Sequence, residues 1–193
     1  MPKLVGVRER RHQYYYDTLL RTDTSTAASP TVQQDTQLFN GTNLGLLYWT
    51  NMKVAGVFAS DETFVVLAMR AWFWFIGSGA LIMYQLTAHQ LYLTLNVGDK
   101  PQFQGPSWSF PAGGGIWGFD STTPAMVNGV PSAESILKFA KPIPIPARQH
   151  FHVQCQLFDT GATSVRSTYY NSGSYGMKEV KVFIDGLHTR DVL

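Results

Sequence analysis

The clearest structural signal in the chain is the stretch HQLYLTLNVGDKPQFQG at residues 89–105. Apolar side chains occupy every second position in its first half, namely Leu91, Leu93, Leu95 and Val97. A period of two puts these side chains on one face of a β-strand and the residues between them on the other face. Gly98 and Asp99 then supply turn chemistry, which predicts that the chain folds back as a hairpin.

The same alternation recurs at residues 150–158 and 180–185. Further strands are predicted at residues 44–49, 63–76, 81–84 running on toward Leu91, and 135–140. The parity of the strands predicts which side chains are buried: Leu91, Leu93, Leu95, Phe151, Val153, Cys155 and Leu157. It predicts that the residues of opposite parity are more exposed or lie at a subunit contact: Thr94, Gln154 and Gln156.

Seven or eight short strands without internal repeats are typical of a two-sheet fold. We therefore expect an all-β protein, a jelly-roll-like antiparallel β-sandwich with an extended N-terminal arm. The run KPIPIP at residues 141–146 contains three prolines, which lack amide donors. Such a run is excluded from a central strand, and we expect an edge or a connector.

The apolar segment at residues 64–84 is long enough to cross a membrane as a helix, with one charge in 21 residues. Arg70 within the segment and the break at Gly77-Ser78-Gly79 argue against a membrane helix. The many β-branched and aromatic residues also favour strands. We predict two buried strands joined by a tight turn.

The N-terminal region differs in composition from the rest of the chain. Residues 1–21 carry a net charge of +3, so the remaining residues sum to −1, and residues 22–37 are polar without apolar periodicity. The sequence thus predicts two parts, a basic arm with a polar linker at residues 1–37 and a single β-sandwich domain at residues 38–193. No secretory signal is predicted at the N-terminus, which has no apolar core segment.

We expect the arm to serve assembly and not folding, with six residues making its contacts: Arg8, Arg10, Arg11, Tyr14, Tyr15 and Tyr16. Tyrosines offer contact area at little entropic cost, and arginines can pair with carboxylates or phosphates. A neighbouring subunit, packaged nucleic acid and an acidic membrane surface are the candidate partners, and a solvated tail is the alternative.

Only 15% of the residues are charged, against roughly 25% in typical soluble domains. A surface with so little charge suggests that copies of the chain cover one another. The net charge of +2 is too small for a general nucleic-acid binder. Cys155 is the one cysteine, which excludes an internal disulfide and a cysteine-based zinc site.

The sharpest enzymatic signal is His150-Phe151-His152, because two histidines at i and i+2 of a strand point the same way, as in cupin metal sites. A cupin also needs a nearby glutamate and a third histidine, and Gln154 and Gln156 follow instead. The glycines at residues 113–115 lack the lysine of a phosphate loop, and no Gly-x-Ser-x-Gly elbow occurs. We therefore predict no catalytic residues, no cofactor, no metal and no small-molecule substrate.

Aromatic residues cluster in the segment that follows the hairpin, at Trp108, Phe110, Trp117 and Phe119. They could form a platform on which sugars stack. The alternative interpretation, which we favour, is a long loop held to the sheet by its aromatic side chains.

Three segments resemble virion structural proteins of marine bacteriophages: HQLYLTLNVGDKPQFQGPSWSFPAGGGIWGFDS, PIPIPARQHFHVQC and KEVKVFIDGLHTRDVL. The resemblance covers about residues 64–193 and leaves the first 40 residues uncovered. It implies a coat or capsid-associated β-protein located in the virion, with no catalytic residues to carry over.

The leading hypothesis is a viral structural protein, a jelly-roll capsid subunit that assembles in many copies and contacts other virion proteins. The alternative is a minor virion component, such as a vertex, connector, or receptor- or glycan-binding module. A cupin-like metal enzyme is the third hypothesis.

Overall fold

A computed structural model describes eight parts of the chain: residues 7–20, 35–41, 44–76, 91–112, 116–119, 126–128, 136–157 and 176–192. Ten β-strands lie in these parts: β1 (Val7–Leu20), β2 (Asp35–Leu38), β3 (Glu62–Ile76), β4 (Leu91–Val97), β5 (Lys100–Pro106), β6 (Ile116–Phe119), β7 (Met126–Asn128), β8 (Leu137–Ile145), β9 (Phe151–Leu157) and β10 (Gly176–Val192). One 3-10 turn at Ser107–Ser109 follows β5.

Eight of the strands form two four-stranded antiparallel sheets. The first sheet has the order β1-β10-β3-β8, and the second has the order β2-β9-β4-β5. The strand pairs are nested along the chain: β1 pairs with β10, β2 with β9, β3 with β8, and β4 with β5. β6 and β7 form a separate small hairpin between β5 and β8. The prediction of an all-β fold with antiparallel sheets is confirmed.

The apolar core contains side chains from both sheets. Phe64, Met69 and Ile184 of the first sheet belong to the same buried cluster as Leu93 and Val153 of the second. Strand parity places them there, since alternate residues of each strand face the same side. Burial is confirmed for Leu91, Leu93, Leu95, Phe151, Val153 and Cys155, while the side chain of Leu157 lies outside the described part.

Thr94 is 9% exposed although it faces away from the core, so the predicted exposure is not found for it in the single chain, and the alternative of a subunit contact stays a prediction. Its strand is central, and Gln154 of β9 and Gln104 of β5 lie directly opposite it on either side. Neighbouring long side chains therefore cover the threonine. Gln154 and Gln156 are partly exposed, as predicted.

The N-terminal residues correct the largest prediction. Residues 7–20 form β1, which pairs with β10 along all 14 of its residues instead of extending as a free arm. Residues 35–37, assigned to a linker, belong to β2 and pair with β9. The rest of the expected linker, residues 22–34, lies outside the described part of the chain.

β1 is tied to the body of the protein by buried polar groups as well as by the ladder. The Asp17 carboxylate is 2% exposed and accepts the amide protons of Phe39 and Thr18. Phe39 has a φ of 65°, a left-handed conformation that costs energy for a non-glycine residue. The hydrogen bond from Phe39 to Asp17 stabilises this turn after β2, so β1 has a folding role.

The other strand predictions have mixed outcomes. β3 and β8 are found where strands were predicted, and β8, which contains Pro142 and Pro144, is an edge strand, as expected. Residues 44–49, predicted as a strand, form turns instead. The predicted strand at residues 81–84 and the turn at residues 77–79 lie outside the described residues. No helix among the described residues is long and apolar enough to cross a membrane.

Candidate assembly surface

The outer face of the first sheet carries a cluster of aromatic rings. Tyr14 and Tyr16, two residues apart on β1, point away from the core, and their ring centroids lie 6.3 Å apart. Both contact Phe183 of the adjacent strand β10, at centroid distances of 6.2 and 5.7 Å. Tyr16 lies directly opposite Phe183 in the ladder, which explains the contact. Three rings thus form a continuous apolar strip across two strands.

A charged pair lies beside these rings. Nε and Nη2 of Arg70 on β3 donate to the two carboxylate oxygens of Asp185, at 2.6 and 2.8 Å. The guanidinium also stacks over the Phe183 ring, 4.9 Å from its centroid. A bidentate pair fixes both side chains in one geometry. The strip therefore continues onto β3 as a rigid surface.

Lys181 joins a further set of rings to the same face. Its Nζ lies 3.7 Å from the centroid of the Tyr48 ring and donates to the Tyr48 carbonyl oxygen at 2.9 Å. The Trp72 ring lies 5.9 Å from the same ammonium. A cation over aromatic faces is attracted by their electron density. We call the set Tyr14, Tyr16, Tyr48, Trp72, Phe183, Arg70 and Lys181 the aromatic face.

Tyr48 comes from the loop between β2 and β3, and hydrogen bonds hold this loop along the free edge of β1. Asn51 accepts the amide proton of Tyr16 and donates to the carbonyl of Tyr14, each at 2.9 Å. The Thr50 hydroxyl donates to the carbonyl of Tyr16, and the Thr18 hydroxyl donates to the carbonyl of Trp49. Side chains of the loop thus satisfy backbone groups that an edge strand leaves unpaired.

The same loop exposes a run of large apolar side chains next to the aromatic face. Leu47 is 78% exposed and Tyr48 is 59% exposed. The exposed large apolar residues of this region are Leu44, Leu46, Leu47, Tyr48 and Val54, and we call residues 44–48 the leucine loop. Contiguous exposed apolar residues of this kind mark interaction sites. The turns at residues 44–49 project these side chains outward, whereas the predicted strand would have buried half of them.

The six residues predicted for assembly are separated by the structure. Tyr14 and Tyr16 belong to the aromatic face, whereas Tyr15 points into the core against Phe58 and Phe64, at 5.2 and 5.1 Å. Burial, with a smaller contribution from the carboxylate of Glu62, raises the pKa of Tyr15 to about 12.

The three predicted arginines lie at the other end of β1 and are exposed. Arg8 pairs with Asp191 at 3.1 Å across the β1–β10 ladder. Arg10 and Arg11 lie opposite Thr189 and His188 of the same strand. This end of β1 is therefore a charged strand end rather than part of the aromatic face.

Sequence reasoning missed the leucine loop and the residues from β3 and β10. Arg70, Lys181 and Phe183 lie more than 50 residues from Tyr16 in the chain, and only the ladder brings them together. The run LGLLYW at residues 44–49 was visible, but its apolar content predicted a strand. The preceding residues NGTN, at positions 40–43, are a turn signal that favoured a loop.

The histidine pair shows a different environment. The His150 and His152 rings lie 5.5 Å apart, and Asn96 Nδ2 lies 3.2 Å from His152 Nε2. Within the described residues no group of three potential metal ligands occurs.

In the aromatic segment after the hairpin, Trp108 is 55% exposed, while Phe110 is fully buried and its carbonyl accepts the amide proton of Ala71. The described part of the chain does not include residues 113–115 or the side chains of Trp117 and Phe119.

Comparison with known proteins adds no relative: no family model matches the chain, and no curated protein matches it.

Proposed function

We propose that the chain is a viral structural protein, a jelly-roll capsid subunit that self-assembles in many copies into a virion shell. The observation that carries the proposal is the nested strand order. Among the eight strands of the two sheets, β1 pairs with β10, β2 with β9, β3 with β8 and β4 with β5. The outermost strands in the sequence thus pair with each other, and the pairing continues inward to β4 and β5. This nesting supports a jelly roll, an architecture used by viral capsids, lectins and cupins.

The aromatic face and the leucine loop favour assembly among these functions. A shell subunit must bury part of its surface against neighbours, and residues at interface centres are rich in Tyr, Trp, Phe and Arg. The aromatic face has this composition, and the adjoining loop offers aliphatic side chains. Hydrogen bonds already hold the loop on β1, so little entropy is lost on contact. The proposed partners are other copies of the chain and other virion proteins.

The sequence resemblance supports the same proposal over residues 64–193, which include β3, β10 and most of the second sheet. The role assigned to residues 1–37 changes in one respect. Tyr14 and Tyr16 serve assembly as part of a sheet and not as a free arm. Arg8, Arg10 and Arg11 are proposed to pair with carboxylates or phosphates of a neighbouring molecule. The proposal assigns the chain no catalytic residue.

A minor virion component that binds glycans is the second candidate, and the exposure of Trp108 favours it. An indole that is 55% exposed beside the 3-10 turn could stack on a sugar ring. The 3-10 turn that carries Trp108 contacts β4 of the second sheet, whereas the leucine loop is hydrogen-bonded to β1 and β10 of the first sheet. Variants at the two places therefore distinguish the two functions.

The experiment compares purified wild-type protein with the double variant Leu47→Ser/Tyr48→Ser by sedimentation velocity. Tyr92→Ser is the matched control, because Tyr92 is an exposed tyrosine on the second sheet. We expect large particles for the wild type and the control, and subunits for the double variant. A wild type that stays a subunit at all concentrations contradicts the proposal. Glycan binding lost in Trp108→Ser would support the second candidate.

A further inference from the structure

A histidine is enclosed between β1 and β3 beneath the charged end of β1. His188 of β10 lies opposite Arg11 of β1 and opposite Phe64 of β3, and it is 1% exposed. Its ring packs against Tyr15 and Phe58, at centroid distances of 6.1 and 5.9 Å. These rings surround the imidazole with apolar surface on the core side of the sheet.

Neither ring nitrogen of His188 makes a hydrogen bond with the described residues. The nearest acidic oxygen, Oε2 of Glu62, lies 3.7 Å from Nε2, beyond hydrogen-bond distance. Buried polar groups are nearly always paired, and leaving one unpaired costs free energy. A buried imidazole that makes no hydrogen bond with the described residues therefore requires a reason.

Charged groups face this histidine from all three strands. Arg11 comes from β1, Glu62 from β3 and Arg190 from β10, and Arg190 is paired with Glu9 of β1. Burial lowers the pKa of His188, and the two arginines act in the same direction, while Glu62 opposes them. The histidine is therefore neutral at pH 7.

We infer that His188 is an acid-sensitive latch that keeps β1 on the first sheet. In its neutral form the imidazole packs with Tyr15 and holds the strand. Protonation places a charge where burial keeps water away from it, and the ring regains water when β1 separates from β10. β1 is the strand that yields, because it lies at the edge of the sheet, whereas β3 is held on both sides. The latch is a property of the folded subunit and does not depend on the proposed function.

The sign follows from proton linkage. The unfolded or opened state takes up a proton near the ordinary histidine pKa of about 6.5, before the closed state does. The closed state is therefore fully stable above this pH and loses stability as the pH falls below it. Below the lowered pKa of the closed state the loss levels off. Between the two pKa values one extra proton favours opening by about tenfold per pH unit.

The experiment is hydrogen exchange of the β1 amides, corrected for intrinsic exchange rates, at pH 7.5 and pH 5. It uses the wild type, His188→Phe, which cannot be protonated, and His12→Gln, which removes an exposed histidine of the same strand. We expect β1 protection in the wild type and in His12→Gln to fall at pH 5, by at most about tenfold for each pH unit below 6.5. We expect no comparable loss in His188→Phe. Unchanged protection in the wild type, or an equal loss in His188→Phe, would overturn the latch.

A second measurement keeps the inference testable if His188→Phe does not fold. The titration of the His188 ring is followed by NMR in the wild type and in Glu62→Gln. Removing the carboxylate takes away the one group that favours the charged ring, so the midpoint should lie below 6.5 in the wild type and lower still in the variant. A wild-type midpoint at or above 6.5, or an upward movement in Glu62→Gln, contradicts the inference.

Discussion

The two sheets present unlike outer faces, although their inner faces are built from the same kinds of apolar residue. In the first sheet a row across three strands reads Tyr16, Phe183, Arg70. In the second sheet the comparable row across four strands reads Gln37, Gln154, Thr94, Gln104. One row offers rings and a cation, and the other offers amides and a hydroxyl.

This difference favours the first face as the place of the proposed partner contacts. Amide side chains exchange hydrogen bonds with water at little net gain, so the second face is suited to solvent. Aromatic rings gain by leaving water, at roughly 25 cal/mol for each Å² that is buried. The first face therefore has more to gain from contact with another chain, and the leucine loop beside it enlarges the area available.

The largest effect is expected from deletion of residues 1–20, which removes β1 from the first sheet. The deletion leaves the edge of β10 unpaired along 14 positions and removes the Asp17 carboxylate that holds Phe39. We expect loss of the cooperative thermal transition, measured by circular dichroism. Deletion of residues 1–6, which keeps β1 intact, is the control. A cooperative transition after the longer deletion would mean that β1 is dispensable for folding.

A smaller effect is expected when the charged pair of the first face is broken. Arg70→Met leaves the Asp185 carboxylate, on a side chain that is 12% exposed, without its bidentate partner. We expect a loss of about 2 to 4 kcal/mol in the free energy of unfolding, measured with urea. On the second face, Gln104→Ala should change this free energy by less than about 0.5 kcal/mol. Equal losses at both positions would remove the contrast between the faces.

The smallest effect is expected at the charged end of β1. Arg8 and Asp191 are 75% and 48% exposed in their side chains, so water and salt weaken their attraction. Arg8→Ala should cost about 0.5 kcal/mol or less, and the cost should shrink in 1 M salt. A large, salt-independent loss would show that Arg8 has a structural role that its exposure does not indicate.

The sequence was informative where local alternation coincides with apolar character. β4 and β9 alternate Leu, Phe, Val and Cys with polar residues, so both the strands and most of their buried faces were predictable. The sequence does not show which side chains of β1 face the core, because Tyr14, Tyr15 and Tyr16 are all aromatic and only Tyr15 faces it. Its partner β10 begins more than 150 residues later, and local composition contains no trace of that pairing.

The candidate site was only partly predictable for the same reason. Tyr14 and Tyr16 were identified by their type, but the face they share with Phe183 and Lys181 exists only through the register of the ladder. Apolar content alone also predicted a strand at residues 44–49, where hydrogen bonds to β1 hold a loop instead. Hydrophobicity indicates that such residues avoid water and does not say whether the core or a partner covers them.

The most direct test of the account is a cryo-electron microscopy reconstruction of the particles formed by the purified full-length chain. The account predicts closed multi-subunit particles in which the leucine loop, Tyr14 and Tyr16 are buried at contacts between copies, while Gln104 and Gln154 of the second sheet face solvent. Dispersed single subunits, or particles in which the aromatic face lies open to solvent, would contradict it.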